Sequence, residues 1–166
     1  MINIELKIYP DELLRKVSQE VKNIDQKLSN IYDQMRILMD KEKGIGLAAP
    51  QIGINERFFI SKDFSDDSDK AIIFINPEII EAEDIVESKE GCLSIPGYHD
   101  YIKRNNKILV SYFDLSGKSK KKEFLDMQSI VFQHELDHLD GILFPDRLPK
   151  IRKDIFFKKI NKEFKK

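Results

Sequence analysis

Apolar residues recur at helical spacing in three places along the chain, with short extended runs between them. Leu28, Ile31, Met35, Leu38 and Met39 form one stripe, and Asp25 stands where an N-cap belongs, which predicts a helix from 25 to about 41. A second helix is predicted from Asp126, another N-cap type, to Gly141, where a left-handed cap would end it. Ile130, Val131, Leu136 and Leu139 give that helix an apolar side. A third is predicted after Pro149, with Ile151, Ile155, Phe156, Ile160 and Phe164 on one face. Earlier, Tyr9-Pro10 leads into a short helical turn over 11–15. The extended runs are 56–61, 71–75 and 78–86, with Asn76-Pro77 predicted to turn the chain between the last two. Residues 108–114 and 120–125 read as a hairpin around Leu115-Ser116-Gly117, and the lysines of its second strand discourage edge pairing.

Two stretches fall outside these patterns. Gly44-Ile45-Gly46-Leu47-Ala48-Ala49-Pro50-Gln51-Ile52-Gly53 is small and glycine-rich, which suits a tight loop or a close backbone approach to a ligand. A phosphate loop is excluded, because no Lys-Ser or Lys-Thr follows. Residues 63–69 are acidic and serine-rich. They lack the glycine and final glutamate of a calcium loop, so a solvated connection is expected.

A chain of 166 residues suits a single domain, 1–166, with a real core. Its formal net charge of −1 gives no overall drive toward nucleic acid or anionic membrane, and runs such as 71–75 are too short to span a bilayer. The balance is local: residues 150–166 hold eight Lys/Arg against two Asp/Glu, a net of +6, so the last helix is basic as well as amphipathic. Met1-Ile2-Asn3-Ile4-Glu5-Leu6-Lys7 has no basic region followed by an apolar stretch, so a signal peptide is not expected. One cysteine, Cys92, precludes an internal disulfide and points to a reducing, cytoplasmic setting.

The chemistry concentrates in the second helix. Gln133-His134-Glu135-Leu136-Asp137-His138 contains H-E-x-x-H, which places two of the three histidines four residues apart on one helical face. That is metal-ligand spacing, and Glu135 beside the first ligand suits a general base acting on a metal-activated water. Cys92 sits in Glu90-Gly91-Cys92-Leu93-Ser94-Ile95-Pro96-Gly97, framed by Gly91 and a predicted turn at Pro96-Gly97. A lone cysteine is commonly inert core, but beside an H-E-x-x-H it also suits a third ligand. Competing readings are a general metallopeptidase, a cysteine hydrolase with Cys92 as nucleophile, and a non-catalytic metal-binding, ribosome-associated module. The cysteine ligand weighs against the first. The second leaves Glu135 without a role. The third needs a fourth protein ligand that the motifs do not offer.

Three stretches together resemble peptide deformylases, in the same order: Gly44 to Gln51, Glu90 to Ser94, and Gln133 to His138. Tyr9-Pro10, Leu14-Arg15 and Pro145-Asp146-Arg147-Leu148 extend the likeness over nearly the whole chain. The resemblance implies an α+β fold, with antiparallel strands wrapped around a central metal-binding helix and a C-terminal helix. It implies hydrolysis of the N-formyl group from the first methionine of new bacterial or organellar proteins, with release of formate. Cys92, His134 and His138 would be the metal ligands, Glu135 the general base and acid, and Gln51 and the Leu93 N–H the oxyanion donors. Gly46 would bind substrate through its backbone, with Ile45, Glu90 and Ile130 as pocket neighbours. One divalent metal ion is implied, ferrous iron in the native enzyme, with Zn2+, Ni2+ or Co2+ as substitutes. The expected partners are N-formylmethionyl nascent peptides and, through the basic C-terminal helix, the ribosome near its exit tunnel. A monomer is expected, with no membrane and no sequence-specific nucleic acid. The chain departs from many relatives at His99, near an arginine of theirs, and at Lys103, where they have proline; His99 could bind substrate in the arginine's place.

Overall fold

The structure, a computed structural model, describes residues 4–65 and 70–164. Met1, Ile2 and Asn3 of the N-terminal segment and residues 66–69 of the acidic run lie outside the described residues. Helix α1 spans Gln26–Lys41, and the Asp25 carboxylate accepts from the Leu28 N–H as its cap. Strands β1 (Gly46–Ala48), β2 (Phe58–Lys62), β3 (Ala71–Cys92), β4 (Ile95–Phe113) and β5 (Ser119–Leu125) form one antiparallel sheet in sequential order. Helices α2 (Asp126–Leu139) and α3 (Lys150–Phe164) follow, with short 3-10 turns at Glu12–Arg15, Ala49–Ile52 and Phe144–Arg147. Antiparallel sheet and separate helices make the fold α+β. No helix among the described residues is long and apolar enough to cross a membrane.

Strand alternation explains the layering. Phe58, Ile60, Ile73 and Ile75 point to one face, where they pack with Leu28, Ile31, Met35 and Met39 of α1. Phe59 and Phe74 point to the other, where they meet Phe132 of α2 with ring centroids 5.1 Å from it in both cases. The sheet is therefore sandwiched between α1 and α2. Helix α2 is also held by polar groups. The Gln133 amide accepts from the Asn105 N–H at 2.9 Å and donates to the Asn105 carbonyl at 2.7 Å, while Gln128 donates to Ser61 Oγ at 2.8 Å. Such directional bonds set the rotation of a helix that apolar packing alone would leave free to roll.

Several local expectations are corrected. Asn76-Pro77 does not reverse the chain: β3 runs through it with a bulge between Ile75 and Glu78. Asn76 takes φ 48°, and its amide exchanges hydrogen bonds with the Val21 backbone, so a side chain completes the local pairing. Gly46–Ala48 is an edge strand rather than part of a loop. The reversal beside Cys92 lies at Leu93-Ser94, and Pro96-Gly97 belongs to β4. β3 and β4 thus form one long hairpin whose tip carries the cysteine. Asp126 is the first residue of α2 rather than its cap and accepts from Asn106. In α3, Phe156 and Ile160 are buried, but Ile151 and Ile155 are 77% and 63% exposed. They lie off the face that packs on Tyr9 and Tyr98.

Helix α2 ends as expected. Gly141 takes φ 71°, its N–H reaches the His138 carbonyl, and the Ile142 N–H reaches that of Asp137, a double bond pattern that closes a helix. A Cβ on Gly141 would also lie 2.7 Å from the Arg15 carbonyl carbon. Gly141→Ala combines left-handed strain with this overlap, so we expect a loss of about 2 kcal/mol or more in urea unfolding. A change within about 0.5 kcal/mol would contradict the cap assignment.

Candidate active site

Helix α2, the β3–β4 tip and the segment from Gly44 to Gln51 converge on a cavity of about 560 Å³. His134 and His138 project from one face of α2, and the Cys92 sulfur approaches from the hairpin, 3.2 Å from His138 Nε2. The ligand atoms of Cys92, His134 and His138 all lie within 4.8 Å of one another. A tetrahedral ion with ordinary metal–sulfur and metal–nitrogen bonds would hold such atoms roughly 3.5 Å apart. The donor set therefore fits a divalent ion after a small contraction.

The two imidazoles sit in different fields. Burial works against a charge on His134, but hydrogen bonds to Cys92 and Glu90 and the field of Glu135 outweigh it and raise its proton affinity well above normal. Burial, together with positive charge on His134 and Arg104, pushes His138 well below the usual range. The two imidazoles are thus pushed in opposite directions, which leaves His138 neutral with a lone pair to offer a cation. Glu135 is buried beside these groups with Oε2 unpartnered, and burial lifts its carboxyl to about 7.

Gly46 makes room for that carboxylate. A Cβ there would overlap Glu135 Oε1 and lie 2.8 Å from its Cδ. Gln51, almost fully buried, is locked by the Ala48 N–H, which donates to Oε1 at 2.9 Å. Its amide nitrogen then faces Ser94 Oγ at 3.1 Å and Cys92 Sγ at 3.5 Å. Leu93 occupies the hairpin turn beside Cys92 and lines the cavity. Ile45, Ile130 and His99 also line it, Ile45 and His99 being exposed. The His99 ring lies over Gly91, its partner across the hairpin, where a Cβ would come within 2.7 Å of Nε2.

The cavity also borders Glu90, but the Glu90 carboxylate is turned into a buried ionic chain that the motifs alone did not disclose. Glu90 Oε2 pairs with His134 Nδ1 at 2.9 Å, leaving Nε2 of that ring for the centre. Arg104 grips Glu90 with two bonds of 2.8 and 2.9 Å and reaches Asp137 at 2.6 Å. Arg147 closes the chain on Asp137 at 3.0 and 2.5 Å. Burial alone would raise the Glu90 pKa, yet the Arg104 and His134 contacts hold it at about 2. One signal was available. Arg104 stands two residues after Ile102 in a strand, and so shares the inward face of that buried isoleucine.

Both the sequence and the fold have counterparts among known proteins. A polypeptide deformylase family model matches residues 4–154. The chain is 38% identical to a peptide deformylase of Thermodesulfovibrio yellowstonii over 160 residues, covering 96% of this chain and 97% of the relative. It is 41% identical to one from Bartonella tribocorum over 160 residues, covering 94% and 90%. Among solved structures, the peptide deformylase of Thermus thermophilus superposes with a TM-score of 0.89 at 36% identity, covering 97% of this chain and 94% of that one. A peptide deformylase from Synechococcus elongatus, solved in complex with actinonin, gives 0.87 at 33% identity, covering 97% and 89%. With its motifs, its fold and its full-length relatives in agreement, the chain belongs to the polypeptide deformylase family of enzymes.

Proposed function

We propose that this protein, acting as a single catalytic domain, hydrolyses the N-formyl group from the first methionine of newly made cytoplasmic proteins and releases formate. The observation that carries the reading is the meeting of Cys92, His134, His138, Glu135 and Gln51 at one cavity. Cys92, His134 and His138 hold one divalent ion, ferrous iron in the native enzyme, and the same donors accept zinc, nickel or cobalt. That ion supplies Lewis acidity at the formyl carbonyl and a water made nucleophilic near neutral pH.

The remaining work falls to side chains. Glu135, with a carboxyl that titrates near neutrality, takes the proton of the attacking water and passes it to the departing methionine nitrogen. Gln51 Nε2 and the Leu93 N–H donate to the oxygen as charge develops on it, each worth on the order of 3 kcal/mol. Gly46 admits both the Glu135 carboxylate and the peptide backbone. Ile45 and Ile130 flank the methionine side chain, and His99 takes a place at the mouth. Glu90 acts through His134 as a positioning residue, with Arg104 and Asp137 behind it. The exposed lysines of α3 dock the enzyme, as a monomer, on the RNA-rich ribosome surface.

Glu135→Gln is expected to lower formate release from an N-formyl-Met tripeptide by about 10³-fold, and chelation to abolish it in the wild type. Metal-replete protein that released no formate would sink the reading. The same variant tests the electrostatics in metal-stripped protein. Folding raises the Glu135 pKa, so the stability tied to its protonation is complete below about 4.5 and is lost as pH rises through about 7. Glu135→Gln should then match wild type in urea unfolding at pH 4.5 and gain about 3 kcal/mol at pH 8. A gain independent of pH would contradict it.

Glu90→Gln should loosen His134 and weaken metal retention by about 10–100-fold in competition with a chelating dye. Unchanged retention would remove the positioning role. Lys158→Glu with Lys162→Glu is expected to reduce co-sedimentation with ribosomes several-fold while leaving tripeptide turnover intact; equal pelleting would exclude α3 as the dock.

A further inference from the structure

The charges at the mouth of the cavity are unevenly balanced. Lys43 follows α1 in the left-handed region at φ 55°. The Lys43 N–H bonds to the Asp40 carbonyl, and that of Gly44 bonds to Met39. The backbone that carries Lys43 to the cavity wall is therefore fixed. Lys89 lies on the opposite wall, in β3. Strand alternation puts it on the same hairpin face as Gly91, and so diagonal to His99, which pairs with Gly91. Lys43, Lys89 and His99 all line the cavity and are exposed.

Among the described residues, neither lysine makes an ion pair. The nearby acids are largely spoken for. Glu90 and Asp137 are matched by Arg104 and Arg147, and Asp100 is bound to Arg152; Glu87 lies outside the cavity lining, across the hairpin from Lys103. Among the described residues, Glu42 is the one acid on the exposed part of the lining. Two exposed lysines against one exposed acid leave the mouth with a surplus of positive charge.

We infer that Lys43 and Lys89, with His99 as an added donor, form a subsite that selects an acidic side chain immediately after the formyl-methionine. The inference rests on the deformylase reading and refines its substrate. In an extended peptide, side chains alternate in direction. With methionine directed inward past Ile45 and Ile130, the next side chain points back toward the mouth, where the lysines stand. Two lysine charges in a solvent-exposed setting multiply the rate for glutamate and divide it for lysine. Screening by salt must erode the difference.

The test compares formate release from formyl-Met-Glu-Ser, formyl-Met-Gln-Ser and formyl-Met-Lys-Ser by the metal-replete protein. At about 20 mM salt we expect kcat/KM for the glutamate peptide to exceed that for the lysine peptide by about tenfold, with glutamine between them. The ratio should fall below about threefold at 0.5 M salt. Lys43→Glu and Lys89→Glu should each reduce the low-salt ratio about threefold, and together bring it to one or below. Because the ratio is taken within each variant, a general loss of folding or metal cancels. A ratio near one that ignores salt and both substitutions, while the glutamine peptide is turned over, overturns the subsite and leaves the deformylase reading standing. If no peptide releases formate, the deformylase reading itself fails. Anisotropy of the three labelled peptides on the Glu135→Gln variant then decides the subsite by binding alone: the same order supports it, and equal affinities refute it.

Discussion

Glu90 is an almost fully buried carboxylate, and a buried charge is tolerated only when opposite charges and hydrogen bonds surround it. Arg104 meets that requirement from β4 with two parallel bonds, Asp137 balances Arg104 from α2, and Arg147 balances Asp137 from the turn after the helix. The chain of pairs therefore ties β3, β4, α2 and the Phe144–Arg147 turn together around a single point. Its near end is His134, whose Nδ1 is occupied by Glu90, so that the opposite ring nitrogen faces the centre. Removing Glu90, Arg104 or Asp137, all buried, would leave part of the chain without its counter-charge in the interior. The rigidity of the centre follows from that cost.

The hairpin and the helix are brought to this point by apolar forces acting on opposite faces of one sheet. Phe59 and Phe74 hold Phe132 of α2, while Phe58 and Ile60 hold α1 behind. The N-terminal arm adds a brace: the Tyr9 N–H donates to the Ser94 carbonyl at the hairpin tip, and Ser94 Oγ accepts from Gln51. Backbone and side chain of one serine thus link three separate segments beside Cys92. Tyr9 also bonds through its hydroxyl to Asn161 of α3, so the basic helix rests on the same brace.

Where the ionic chain gives order, the neighbouring Glu135 carries tension. Among the described residues no counter-charge is bonded to it, one of its oxygens lacks a hydrogen-bond partner, and Gly46 stands against it with no room for a side chain. Two glutamates on the wall of one cavity are thereby pushed in opposite directions, Glu90 to about 2 and Glu135 to about 7. Divergent carboxyl groups of this kind separate a residue that holds a site together from one that can move a proton.

Periodicity, caps and motif spacing were legible in the chain. Asp25 and the stripe from Leu28 to Met39 located α1, Gly141 ended α2, and the four-residue interval from His134 to His138 set two imidazoles on one face, because each depends only on neighbours within a turn. Local rules failed where long-range pairing took over. Asn76-Pro77 has turn chemistry but becomes a bulge, since β4 pairs with β3 on both sides of it, at Ile75 and Glu78, and the Arg57 carbonyl takes the Asn76 N–H. Ile151 and Ile155 match the stripe of α3 yet face outward, because Phe156 and Ile160 already fill the core beneath the helix. The pairing of Glu90 with Arg104, and of Arg104 with Asp137, joins residues 14 and 33 positions apart. No local pattern encodes such a pairing: the chain supplied the cysteine, the two histidines and Glu135, and only the folded sheet decided which charges would hold them in place.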